Sequence, residues 1–263
     1  MDYGDLAEQV GQRRDSPIVV VANAGTTFTE AVDDLRRIRR LLDDLAIPAA
    51  RRFLLVDAAL AGIPLALLDP ADRPGFDIAD GADCVVVSGH KFLATPMPCA
   101  AVIVKNSTRG RAPMVSYTGA LDATIASSRN GHAALAIWYA LTVLGRDGLA
   151  ARAEQCRDLA AYTQHRLTAL EWPAWRRPHA MTVTLTTPPQ PIRSRWGLAD
   201  HHGRSHIVCA PGTRRADLDA LLTALAAHHH GVPSADPPPT GPRPATNGRL
   251  PRQFRRNPSG TRR

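Results

Sequence analysis

The chain has 263 residues, 44% of them hydrophobic and 21% charged, enough apolar content to bury a sizeable core. No apolar run reaches the roughly 18 residues needed to span a membrane, and the acidic, polar start Met1-Asp2-Tyr3-Gly4-Asp5 argues against a secretory signal, so the cytoplasm is the expected compartment. The formal net charge is +8, but residues 228–263 carry +6 of it, seven arginines against one aspartate, which leaves +2 on the rest and makes a nucleic-acid partner unlikely.

In chain order the pattern alternates. Residues 18–23 form an apolar strand, and residues 32–45 an amphipathic helix whose buried stripe is Val32, Leu35, Ile38, Leu42 and Leu45. Residues 53–57 (Phe-Leu-Leu-Val-Asp) and 83–88 (Asp-Cys-Val-Val-Val-Ser) are short apolar strands of the kind buried in parallel sheets. Residues 100–105 give another strand, reversed in direction after the Pro96-Met97-Pro98 turn. Residues 115–127 are too polar and glycine-containing for core, which suits a loop or lid carrying Tyr117. Helices follow over 130–145 and 149–170, then strands over 181–186 and 205–209 and a closing helix over 214–227. Strand-helix alternation followed by a small mixed unit predicts an α/β fold with a small α+β carboxyl-terminal domain. The expected division is 1–145, 146–227 and an arginine- and proline-rich tail, 228–263, too poor in large apolar side chains to order itself.

Lys91, in Ser88-Gly89-His90-Lys91-Phe92, stands out because the chain contains only one other lysine, Lys105, and thirty arginines. A guanidinium stays protonated, whereas a lysine amine can form a Schiff base with an aldehyde. Lys91 follows one buried strand and Asp57 ends another, and open α/β sheets bind ligands at the carboxyl ends of their strands. An amine for an aldehyde carbon and a carboxylate for a ring nitrogen are what pyridoxal phosphate requires, and the small side chain of Ala59 leaves room for a flat ring. Read singly, Asp57 is equally a turn former and Lys91 an ordinary loop cation. Cys84, Cys99, Cys156 and Cys209 lack C-x-x-C spacing, and the histidines near His201 and His228 have no matching ligand pattern, so no structural metal is expected.

Six segments in order carry a resemblance: Ala22-Asn23-Ala24-Gly25-Thr26-Thr27, Ala31-Val32-Asp33-Asp34, Asp57-Ala58-Ala59-Leu60, Ser88-Gly89-His90-Lys91-Phe92, Pro96-Met97-Pro98-Cys99 and Ser128-Arg129-Asn130-Gly131-His132. From about Asp2 to Ala227 the chain resembles the group II pyridoxal-phosphate-dependent amino-acid decarboxylases, and within them the bacterial histidine decarboxylases and plant serine decarboxylases. The resemblance implies a fold type I transferase-like architecture with pyridoxal 5'-phosphate as cofactor. It implies Lys91 as the Schiff-base lysine, Asp57 as partner of the pyridinium nitrogen and Ala59 as the residue under the ring. Asn23, Ser88 and His90 would lie close to the cofactor, the last two on its phosphate side, and Tyr117 would help return a proton to the substrate carbon.

The chain also departs from that pattern. Leu55 stands where the family commonly has histidine, Ser127 where it has glycine, and Ser116 where it has an acidic residue. The family's first half of the large domain, with a phosphate-binding serine and a stacking histidine, has no counterpart before residue 18 beyond a short helix. The implied activity is decarboxylation of an amino acid, histidine favoured over serine and aspartate, by a homodimer or with a chain carrying the missing half. The alternative is a non-catalytic remnant or partner-binding fragment.

Overall fold

The computed structural model describes residues 1–105, 114–116, 119–121 and 130–228. Helix α1 (Tyr3–Gly11) is capped by Asp2, whose carboxylate accepts from the Gly4 and Asp5 amides. Strand β1 (Ile18–Asn23), helix α2 (Leu35–Asp44), strand β2 (Arg52–Asp57), the short helix α3 (Gly62–Ala66), and strands β3 (Cys84–Ser88) and β4 (Ala100–Val104) follow. They build one sheet in the order β1-β2-β3-β4, with the first two pairings parallel. β4 runs antiparallel to β3, as the Pro96-Met97-Pro98 turn requires.

Helix α2 starts three residues later than its apolar stripe suggests. Asp34 caps it by accepting the Arg37 amide at 2.9 Å, so Val32 lies outside the helix and bridges Ala24. Leu35, Ile38 and Leu42 then pack on Ile18, Val20 and Ala22 of β1 and Leu54 and Val56 of β2. Each such side chain contributes about 1.5 to 3 kcal/mol by leaving water. The other face of β1 is bare, with Val19 and Val21 65% and 52% exposed.

Two-residue strands β5 (Met114–Val115) and β6 (Ala120–Leu121) pair in the segment read as a loop; Tyr117 and most of that segment lie outside the described residues, as do residues 229–263. Helix α4 (Gly131–Ala169) spans both predicted helices. Its axis breaks at Gly145, whose φ of 59° and ψ of −172° suit glycine alone and separate the two helical pieces. The second unit has an antiparallel sheet, β7 (Ala174–Trp175), β8 (Thr182–Thr186) and β9 (Arg204–Val208), with helices α5 (Gln190–Trp196) and α6 (Arg215–His228). Leu218, Leu221, Leu222 and Leu225 of α6 pack there on Ala160 and Leu167 of α4. Between the units, Phe92 and Leu93 join Leu149, Ala153, Cys156 and Met181 in a third apolar cluster.

The loop between β1 and α2 ties the two sheets together. Buried Glu30, at a φ of 51°, accepts the Met181 and Thr182 amides at 2.8 and 2.6 Å, and Thr184 donates to the Phe28 carbonyl at 3.2 Å. The Phe28 ring also lies 4.7 Å from that of His206. Burial pushes the Glu30 carboxyl above its ordinary range, against the opposing pull of the hydrogen bonds from β8 and of Arg176. Among the described residues no helix is long and apolar enough to cross a membrane.

Glu30→Ala removes the acceptor from two buried amides and should cost about 2 to 4 kcal/mol, read as a lower midpoint in chemical unfolding. Because its folded-state value is raised, Glu30 stabilises the fold most below the ordinary carboxyl range and loses that contribution as pH rises through the raised value. Thermal midpoints of the native chain relative to Glu30→Gln should therefore fall from pH 4.5 upward, and a difference that grows with pH would contradict this placement.

Candidate active site

Parallel register sets the site. Asn23, Asp57 and Val86 are aligned across β1, β2 and β3, so the carboxyl ends of the three strands lie side by side. The chain continuing from β1 donates the Ala24 amide to the Asp57 carbonyl at 2.8 Å. The chain continuing from β2 donates Ala58 N–H to Val86 O at 2.9 Å, and the Ser88 amide donates to Ala59 O at 3.1 Å. Asn23, Asp57, Ala59 and Ser88 are thus brought to one edge by main-chain bonds alone.

Asp57 is exposed there. One of its oxygens accepts the Ala59 amide at 3.0 Å, a local turn that points the carboxylate along the strand end and leaves the other oxygen for a ligand. Ala59 is half-buried beside it, and Leu55, two residues back, is paired with Val21 and Cys84 within the sheet.

Past β3, a tight turn carries the lysine. The Gly89 amide donates to the Cys99 carbonyl at 2.8 Å, Thr95 N–H donates to Gly89 O at 3.1 Å, and the Thr95 hydroxyl sits 3.2 Å from Cys99 Sγ. His90 Nδ1 lies 3.1 Å from the Cys99 carbonyl oxygen and 3.2 Å from the Cys99 amide nitrogen, which holds that exposed ring against the Cys99 main chain by its Nδ1 edge. Ser88 is buried and Lys91 half-buried. The two lysines differ in one respect that matters. The Lys105 ammonium is 3.6 Å from the Asp83 carboxylate, whereas that of Lys91 makes no ion pair or hydrogen bond among the described residues.

Two buried cysteines are core thiols. Burial, and then the charge of Asp83, pushes the Cys84 thiol up; burial pushes Cys209 to about 11. Both stay protonated as core side chains. No group of three or more His, Cys, Asp and Glu side chains able to hold a metal ion occurs among the described residues.

A primary amine without a counter-ion among the described residues and a carboxylate with a spare oxygen, at the ends of adjacent parallel strands, match an aldehyde and a ring nitrogen. The sequence agrees with that chemistry over most of its length: residues 1–172 match the model of the pyridoxal-dependent decarboxylase conserved domain. The chain belongs to the pyridoxal-dependent decarboxylase family. It is 41% identical over 226 residues to a histidine decarboxylase of Mesorhizobium japonicum, covering 86% of this chain and 60% of that protein. A histidine decarboxylase of Vibrio campbellii is 34% identical over 224 residues, covering 84% and 58%. Among solved structures, the L-methionine decarboxylase of Streptomyces sp. 590 superposes with a TM-score of 0.73 at 28% identity, covering 86% of this chain and 57% of that one. The fold is therefore the type I architecture of these decarboxylases, and the chain spans about 60% of the length of the curated relatives it matches.

Two residues beside these strand ends have structural roles that their sequence segments do not show. Asp33 falls within a recognised segment, but its burial and its bond to Asn23 follow from the loop's path. Gly89 sits inside the lysine motif, yet only the packing shows why it lacks a side chain: a Cβ there would lie 2.6 Å from Cys99 Sγ, 3.0 Å from Ile137 Cγ1 and 3.2 Å from Thr95 Oγ1. Gly89→Ala should cost about 1 to 3 kcal/mol and shift the lysine turn. Adding Cys99→Ala should recover most of the loss in chemical unfolding, because it removes the closest atom; no recovery would place the strain elsewhere.

Proposed function

We propose that the chain takes part in pyridoxal-phosphate-dependent decarboxylation of an amino acid, with histidine as the favoured substrate and amine and carbon dioxide as products. The observation that supports this best is that Lys91, without a counter-ion among the described residues, follows β3 while the exposed Asp57 ends the adjacent parallel strand β2. Lys91 would hold the cofactor's aldehyde carbon covalently, and Asp57 would keep a proton on its ring nitrogen. When bound, the cofactor supplies an electron sink for the bond that loses carbon dioxide. Ala59 would lie under the ring, Asn23 at its edge, and Ser88 and the Nε2 side of His90 on the phosphate side. Tyr117, outside the described residues, is the candidate for returning a proton to the substrate carbon. Histidine is favoured because the two most similar relatives named above are histidine decarboxylases.

We further propose that residues 1–145 belong to the cofactor-binding domain, residues 146–227 to a long helix with the small carboxyl-terminal domain, and residues 228–263 to a dispensable tail. A complete site would need either a homodimer or a polypeptide supplying the length that the relatives have in addition. Bare apolar side chains support this: Val19 and Val21 on β1, Val102 and Ile103 on β4, and Leu135 and Trp138 on α4 are all more than half exposed.

Borohydride reduction of the chain with pyridoxal phosphate, followed by peptide mapping, should place the pyridoxyl group on Lys91; labelling of Lys105 instead would overturn the assignment. Asp57→Asn should retain part of the cofactor affinity and lose nearly all release of labelled carbon dioxide from histidine. Full activity in that variant would contradict the role given to Asp57. The isolated chain should self-associate in sedimentation and turn over histidine negligibly until a polypeptide supplying the remaining length is added, and robust turnover by the chain alone would show that its own residues suffice.

A further inference from the structure

Asp33 is a buried carboxylate with no sequence-assigned role, and its bonds converge on one side chain of the site. Its Oδ2 accepts the main-chain amide of Asn23 at 2.8 Å and the side-chain Nδ2 of Asn23 at 3.2 Å. In return the Asp33 amide donates to the Asn23 carbonyl at 2.8 Å. The other oxygen, Oδ1, takes the amino group of Met1 at 2.6 Å. Asn23 is the last residue of β1 and is in register with Asp57.

A primary amide has a donor end and an acceptor end, and a neighbour that only accepts decides which end faces it. A carboxylate oxygen that accepts the Asn23 main-chain N–H offers only lone pairs, so the side-chain amide can turn only its NH2 end to it. The carbonyl Oδ1 is then the end left for a ligand at the strand ends. We propose that Asp33 is a positioning residue that locks the Asn23 amide, so that Asn23 meets the bound cofactor or substrate as a hydrogen-bond acceptor and selects a hydroxyl or N–H group there. This rests on the reading that the strand ends beside Asp57 and Lys91 hold the pyridoxal group.

The test uses the full chain with 15N-labelled asparagine. The Asn23 side-chain resonance, identified by its loss in Asn23→Ala, should exchange slowly with water in the native protein and quickly in Asp33→Ala. Pyridoxal phosphate affinity, measured by fluorescence titration, should weaken about tenfold in Asp33→Ala and in Asn23→Asp alone. Exchanging the two, Asn23→Asp together with Asp33→Asn, rebuilds an amide-to-carboxylate bond and again presents an oxygen, so it should restore most of the affinity even if one single variant folds poorly. Rapid exchange of Asn23 in the native protein, or an exchanged pair no better than the single variants, would overturn the proposal. Slow exchange in a native chain that binds no pyridoxal phosphate would support the lock and overturn the cofactor reading instead.

Discussion

Parallel pairing of β1, β2 and β3 is the constraint on which the site depends. Parallel strands leave all their carboxyl ends at one edge, and the chain must leave each strand there before crossing back. Asn23, Asp57 and the Ser88-to-Lys91 turn are therefore neighbours although they span nearly seventy residues of sequence. Hydrogen bonds between the departing segments, from Ala24 to Asp57, Ala58 to Val86 and Ser88 to Ala59, extend the pairing past the strands proper. They fix where side chains begin; the directions those side chains take are set by more local bonds.

The loop from Gly25 to Asp33 does two jobs at once. Through Asp33 it holds the end of β1, and through Glu30, Phe28 and their partners on β8 and β9 it fastens the carboxyl-terminal unit to the sheet. Gly25 permits its tight start: φ is 104°, and a Cβ would lie 2.6 Å from that of Ala61, two residues past Ala59. Glu30 is the costly element. A carboxyl group removed from water is held there by two main-chain amides at the start of β8, which donate to it.

Apolar side chains are distributed unevenly around this frame. The face of the sheet under α2 is buried in full, while the opposite side of β1, the edge strand β4 and the first part of α4 expose valine, isoleucine, leucine and tryptophan. Bare apolar surface of this kind is costly in water.

Strand identities, the reversal at β4, the amphipathic α2 and the lysine motif were legible in the sequence because they rest on local chemistry: β-branched runs, a Pro-x-Pro turn, a 3.6-residue stripe and a lysine in an arginine-rich chain. The late start of α2 and the small strand β7 were not, since capping and main-chain geometry decide them. Residue chemistry also named Asp57, Ala59 and Lys91 as candidates, and the family resemblance added Asn23, Ser88 and His90. Only the tertiary structure decided that Lys91 lacks a counter-ion among the described residues while Lys105 has one, that Asp33 faces Asn23 and that Glu30 reaches β8, because each is settled by the path of the chain and leaves no periodicity or spacing to read.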